Sequence, residues 1–490
     1  MLALGLACVT LAAAAAEPRP LGRDDVQWLE RITYGIDSAS VALYRGVGRE
    51  RFLSEQLSGR DDRLPPAVQA RIAALEISRI TPERLLADEQ AEQQRLKNAS
   101  ESDKQAARKA RNENGNDLLN ETVERHLLRA IYSPAQLKEQ MDWFWLNHFS
   151  VFAHKAAVRW LAADYEERAI RPHALGKFRD LVLAALKHPA MLQYLDNAQN
   201  AAGHVNENYA RELMELHTLG VDAGYTQRDV QELARVLTGL SVARADAPKR
   251  APGYVSDGAF AFYPARHDFG DKVLLGQTIH GRGFAEIEEA VELLTKQPAC
   301  ARFVSRKLAQ YFVADAPPAS LVEAMAHTFQ RSDGDIAATL RTLFESKEFA
   351  ASLGGKFKDP QHFVVSSVRL ACDGGTVGDL KPLLGWLNGQ NEALFGHASP
   401  DGYALTEAAW SGSGQLTRRF EIARAIGANF ANVLACVPNP SGDVQKLDTA
   451  LVRDQVTPYL SAQTLGALAR AASPREWNAL LLASPDWNFH

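Results

Sequence analysis

Apolar residues recur along most of the chain at intervals of three and four, the spacing of one face of a helix, and alternate only in short stretches. Val26, Leu29 and Ile32, then Phe52 and Leu53, then Ile72, Leu75 and Ile77 mark a first helical block over residues 24–87. From Asp88 to Arg111 the only apolar residue larger than alanine is Leu96, among closely mixed Glu, Lys, Arg and Gln. Such a stretch, 88–116, has no face to bury and reads as a solvated helix held by i,i+4 ion pairs or as a connector. A dense helical region follows over 117–350 and a further helical region over 351–490, packed on it.

Local chemistry sharpens parts of this pattern. Thr226 stands three residues before Asp229, a capping box, with Tyr225 and Val230 placed as a hydrophobic staple, so a helix through Leu233 and Leu237 is expected. Between Val242 and Gly276 the period changes. Phe260-Ala261-Phe262 alternates and Val273-Leu274-Leu275 is a second short apolar run, which predicts a small β-hairpin with His267 and Asp268 in its connection. The expected fold class is mainly α, a multi-helix globular bundle with a small β-hairpin insertion around 255–276.

Composition adds exclusions. The chain has 490 residues, 46% hydrophobic and 23% charged, enough apolar material for a large core and unlike a disordered chain. Lys plus Arg number 54 against 59 Asp plus Glu, so no overall basic field argues for nucleic-acid binding. The apolar run Leu2–Ala15, followed by small residues and Glu17-Pro18, reads as a signal peptide over 1–16, although no Lys or Arg precedes it. No later segment has the ~20 apolar residues that a membrane-spanning helix needs. The mature chain is therefore expected in the periplasm or outside the cell. Cys300, Cys372 and Cys436 then remain, at wide spacings that allow at most one disulfide and favour small buried hydrophobes; with no C-x-x-C there is no thiolate zinc site. Dinucleotide, P-loop and nucleophile-elbow motifs are each incomplete.

Several segments carry a resemblance. They are Trp143 to Val151 (W-F-W-L-N-H-F-S-V), His188 to Leu192, Tyr194-Leu195-Asp196-Asn197, and Asn206 to Gly224 (N-E-N-Y-A-R-E-L-M-E-L-H-T-L-G-V-D-A-G). Further on come His267-Asp268-Phe269-Gly270 with Leu274-Leu275-Gly276, Arg302-Phe303 with Lys307-Leu308, and Pro400-Asp401-Gly402-Tyr403. Together they make the chain, over about 24–490, resemble the bacterial family known as domain of unknown function 1800. The resemblance implies a largely helical exported protein, often encoded beside a second exported family. It supplies no catalytic residues.

Candidate chemistry comes from the residues themselves. Leu137, Met141, Phe144 and His148 share one helix stripe, so His148 is expected to be buried. Tyr209, Leu213, Leu216 and Leu219 define another, and in α geometry Glu212 falls ~40° from Leu216, inside it. A carboxylate there must pair, protonate or bind a metal. Glu207, Arg211 and Glu215 instead form an i,i+4 ladder for a solvated flank. In the same geometry His217 lies ~140° from Glu212, too far round to share an ion with it.

The expected site is thus an acid/base set of His148, Glu212, Asp196 and His267. For a divalent metal such as Zn, Fe or Mn the donors would be His148, Glu212, His267 and Asp268. Two other readings stay open. The same residues could form a polar network neutralised by Arg168, Arg171 or Arg302. Alternatively, the protein could be a noncatalytic envelope binding or assembly protein that works with a co-exported partner through Trp143, Trp145, Trp160, Trp386 and Trp410.

Overall fold

Helix Gln136–His148 buries every residue except Lys138, and helix Pro360–Cys372 buries all of its residues. A helix covered on all sides belongs at the centre of a large core. One continuous apolar cluster does run from Val26 to Trp487. The computed structural model describes residues 20–244, 251–429 and 444–490, so the expected signal peptide over 1–16 lies outside the described residues, as does Cys436.

The architecture is mainly α, as the periodicity predicts, with only small antiparallel sheets. The first block packs through the stripe Val26, Leu29 and Ile32 of helix Arg23–Ile32, where Trp28 meets Tyr44 and Phe52 at 5.8 and 6.0 Å between ring centroids. Residues 88–116 fall in two helices, Pro82–Leu96 and Glu101–Tyr132. Their local pairs, such as Lys109 with Glu113 at 3.9 Å, are exposed, and Arg111 reaches across to Glu89. Thr226 and Asp229 form the expected capping box, with the Thr226 amide donating to Asp229 Oδ2 at 2.8 Å.

The β insertion is present, but its two apolar runs are not partners. Strand Phe260–Phe262 is the centre of a three-stranded sheet between Leu240–Val242 and Val255–Asp257. Strand Lys272–Leu274 pairs instead with Gln277–Ile279, around a tight turn in which Leu275 has φ 49° and Gly276 has φ 77°. That turn closes the second hairpin locally, which leaves the first run to find partners upstream.

Among the described residues no helix is long and apolar enough to cross a membrane. Cys300 is a free, buried thiol, as expected of a small hydrophobe. Cys372 differs, being disulfide-bonded. Trp143, Trp145, Trp160 and Trp410 are all buried, so they serve the core rather than offering contact surface.

Candidate functional site

The last turn of helix Gln136–His148 is where distant segments meet. Asn147 clamps the 400–403 loop, donating from Nδ2 to the Tyr403 carbonyl at 3.0 Å and accepting the Tyr403 amide at 2.6 Å. Gly402, at φ 73°, lies so close that a Cβ there would sit 2.2 Å from the Asn147 carbonyl oxygen. Its neighbour Asp401 is thereby carried to the same end of the helix. From the other side, Tyr194 donates its hydroxyl to the Ala398 carbonyl at 2.8 Å.

His148 is buried among Phe144, Trp145, Phe149, Phe178 and Phe303. Its Nε2 donates to the His217 carbonyl at 3.0 Å, which leaves Nδ1 a lone pair with no partner among the described residues. His217 is also buried, its ring centroid 6.1 Å from that of His148, and neither of its nitrogens has a hydrogen-bond partner among the described residues. Burial, and secondarily the Lys307 charge, push its pKa down to about 3, and the same causes hold His148 well below the usual imidazole range. Both rings are neutral bases kept away from water.

Lys307 projects from helix Pro298–Phe312 over the Phe303 ring at 5.7 Å. Gly220, at φ 85°, admits that ring because a Cβ there would meet it at 2.9 Å. Among the described residues Lys307 has neither a hydrogen bond nor an ion pair. Burial pushes its pKa down to about 8, against which Asp401 pulls it up. Asp401 itself is held low: burial opposes its charge, but hydrogen bonds from Ser399 and His397 outweigh that. Glu212 is half-buried and moves the other way, raised first by burial and then by the like charges of Glu215 and Asp401 against Arg211. The expected flank ladder is in place, with Arg211 3.3 Å from Glu207 and 3.6 Å from Glu215.

The angular argument that separated Glu212 from His217 assumes an α-helix, and here the backbone departs from it. The helix Asn208–Glu212 passes into a π-helical turn over Leu213–Thr218, in which Leu219 N bonds Met214 O at 2.8 Å. An i→i+5 turn rotates less per residue than an α-helix and is frequent at functional sites.

Three of the expected donors sit elsewhere with mates of their own. Asp196, in the left-handed region at φ 61°, is paired with Lys155 at 2.8 Å. His267 has Nε2 3.0 Å from Glu286 and Nδ1 2.8 Å from the Thr238 carbonyl, so no ring lone pair is left for a metal. Asp268 is bound by Arg235 at 2.8 and 3.2 Å. The structure therefore sets His148 beside His217 with the Lys307 charge acting on both rings, puts Asp401 within electrostatic reach of Lys307 and of Glu212, and leaves Asp196, His267 and Asp268 to local structure. Of the arginines considered as neutralisers, Arg171 pairs with Glu139 at 2.7 Å and Arg168 with Asp257 at 3.2 Å. The group with metal-ligand spacing among the described residues is a different one, His126, Asp142 and Glu166.

The sequence carries only a partial signal for Lys307 and Asp401. Both fall within the resembling segments, but neither sits on an apolar stripe that would single it out. A model of the family described as "Protein of unknown function (DUF1800)" matches residues 27–489. No curated protein and no solved structure matches the chain.

Proposed function

This chain belongs to the DUF1800 family, and from that premise we propose that it is an exported enzyme working by acid–base catalysis at the end of helix Gln136–His148. The observation that carries the reading is Lys307: a partly buried amine with no hydrogen-bond or ion-pair partner among the described residues, whose pKa burial pushes down to about 8. An ammonium held for structural reasons is normally paired, because burying a lone charge is costly. A lysine of lowered pKa is instead half neutral near pH 8 and available as a general base.

Glu212 complements it. Its carboxyl is raised while the amine is lowered, both within electrostatic reach of Asp401, and two titratable groups drawn toward neutrality from opposite sides suit proton donation and abstraction. Asp401 holds a fixed negative charge that orients Lys307, and His148 and His217 offer neutral nitrogens at its apolar wall. Two features support an exported location: the leading apolar run over 1–16 and the disulfide at Cys372, a bond of oxidising compartments.

The test is a turnover screen on ester, amide and carbonyl substrates with the wild type, Lys307→Met and Lys307→Arg, alongside fractionation of expressing cells. The expected result is mature protein in the envelope or medium and turnover reduced by ~100-fold or more in Lys307→Met. Turnover indifferent to Lys307→Met, or no turnover together with a stoichiometric co-purifying protein, overturns the reading in favour of an assembly role.

A further inference from the structure

A second polar centre, made of other residues, lies inside the helical core. His126 on helix Glu101–Tyr132, Asp142 on helix Gln136–His148 and Glu166 on the π-helical turn Tyr165–Ile170 converge from three elements. Their donor atoms all lie within 4.8 Å of one another, and the three residues are 3%, 0% and 0% exposed. His126 Nδ1 is 2.9 Å from Glu166 Oε1 and 3.8 Å from Asp142 Oδ2.

The surrounding charges are matched, which isolates what is not. Glu139 is bound to Arg171 at 2.7 Å, Glu167 to Arg129 at 2.8 Å, and Glu166 Oε2 to Arg125 at 3.2 Å. Asp142 has no such mate: both of its oxygens are buried and neither has a hydrogen-bond partner among the described residues. His126 Nδ1 stands 3.8 Å from Asp142 Oδ2, beyond hydrogen-bond reach. Two metal bonds of ~2.0–2.2 Å each, meeting at one ion, span both 2.9 and 3.8 Å.

The outer contacts fit the same conclusion. Gln361 Nε2 lies 2.8 Å from His126 Nε2 and 2.9 Å from the Tyr34 hydroxyl, while Gln361 Oε1 is buried without a partner among the described residues. Amide nitrogen and oxygen are interchangeable assignments. With the amide turned over, Oε1 accepts from both His126 Nε2–H and the Tyr34 hydroxyl. The lone pair of His126 then sits on Nδ1, facing the two carboxylates. That is the tautomer a ligating histidine takes when its second nitrogen is held by an outer partner.

We infer that His126, Asp142 and Glu166 bind one divalent transition-metal ion inside the core. The donor set, one imidazole and two carboxylates with no thiolate, suits Zn or Mn. The ion neutralises the two facing acids and ties together three helical elements, so its role is to fix the core that carries Asn147 and His148 further along the same helix.

Tag-free protein purified without chelator and analysed for metals decides this. We expect about one Zn or Mn per chain, a content cut ~tenfold or more in Asp142→Asn and unchanged in His280→Ala, which alters only an exposed His–Asp pair. We also expect a Tm that falls when wild type is dialysed against dipicolinate and recovers with Zn²⁺ or Mn²⁺. Metal-free wild type whose Tm ignores both ions overturns the inference, as does full metal content in Asp142→Asn. If Asp142→Asn does not fold, the chelation and re-addition arm on wild type is decisive by itself.

Discussion

His267 and His217 are equally hidden from water, yet one is saturated with partners and the other has none among the described residues. His267 is fixed by Glu286 and the Thr238 carbonyl, and Glu286 is further bound by Lys272 and the amides of Gly283 and Arg282. His217 makes no ring hydrogen bond, and its neighbouring cation, Lys307, makes none either. Burial alone therefore says nothing about purpose. What separates a structural centre from a candidate reaction centre is whether the buried groups have been matched to each other.

The largest expected effect comes from breaking the matched centre. Glu286→Ala removes the ion pair of Lys272, the Nε2 partner of His267 and the acceptor of two amides in the interior. It is expected to cost ~3–5 kcal/mol of stability in urea unfolding, whereas His217→Leu, which removes no hydrogen bond, is expected to change stability by less than ~1.5 kcal/mol. Equal costs at the two positions would erase the distinction.

Lys307→Met comes next and should have the opposite sign. A lysine whose folded pKa is about 8 against an ordinary 10.5 binds fewer protons folded than unfolded between those values. Its burial therefore costs stability in full below pH 8, and the cost fades as pH rises toward 10.5. The variant should be more stable than wild type at about pH 7, with the gain shrinking across that window. A loss of stability there would show that Lys307 has a partner after all.

The imidazoles give a smaller effect on the acid side. His217, at about 3 when folded against 6.5 unfolded, is neutral in the folded chain, so stability falls as pH drops from 6.5 toward 3. In His217→Leu that slope should flatten by up to ~1.4 kcal/mol per pH unit, measured by thermal unfolding from about pH 7 to about pH 4. An unchanged slope would mean the ring is protonated or solvated in the native state.

Local contacts are what the sequence describes best, while the matched centre at His267 is not among them. Helical periodicity, the Thr226 capping box and the Glu207–Arg211–Glu215 ladder depend on residues within one or two turns of each other, so they can be read from spacing. Spacing gives no sign of the π turn over Leu213–Thr218, where the arithmetic of ~100° per residue no longer holds. Nothing in the spacing marks Asp142 or Glu139 as buried, because amphipathicity assumes that a helix has a solvent-facing edge. Helix Gln136–His148 is covered on nearly every side. His126, Asp142 and Glu166 come from three separate elements, and Lys307 and Asp401 are far apart in a 490-residue chain, so only tertiary packing reveals either group.

The central claim, that Lys307 is an unmatched amine poised near neutrality, is tested most directly by a pH titration of protein carrying ¹³C at the lysine ε-carbon. One resonance, absent from Lys307→Met, should titrate with a midpoint of about 8 while the surface lysines titrate near 10.5. If the Lys307 resonance titrates with the surface lysines, the amine is solvated or paired and the proposed reaction centre is contradicted.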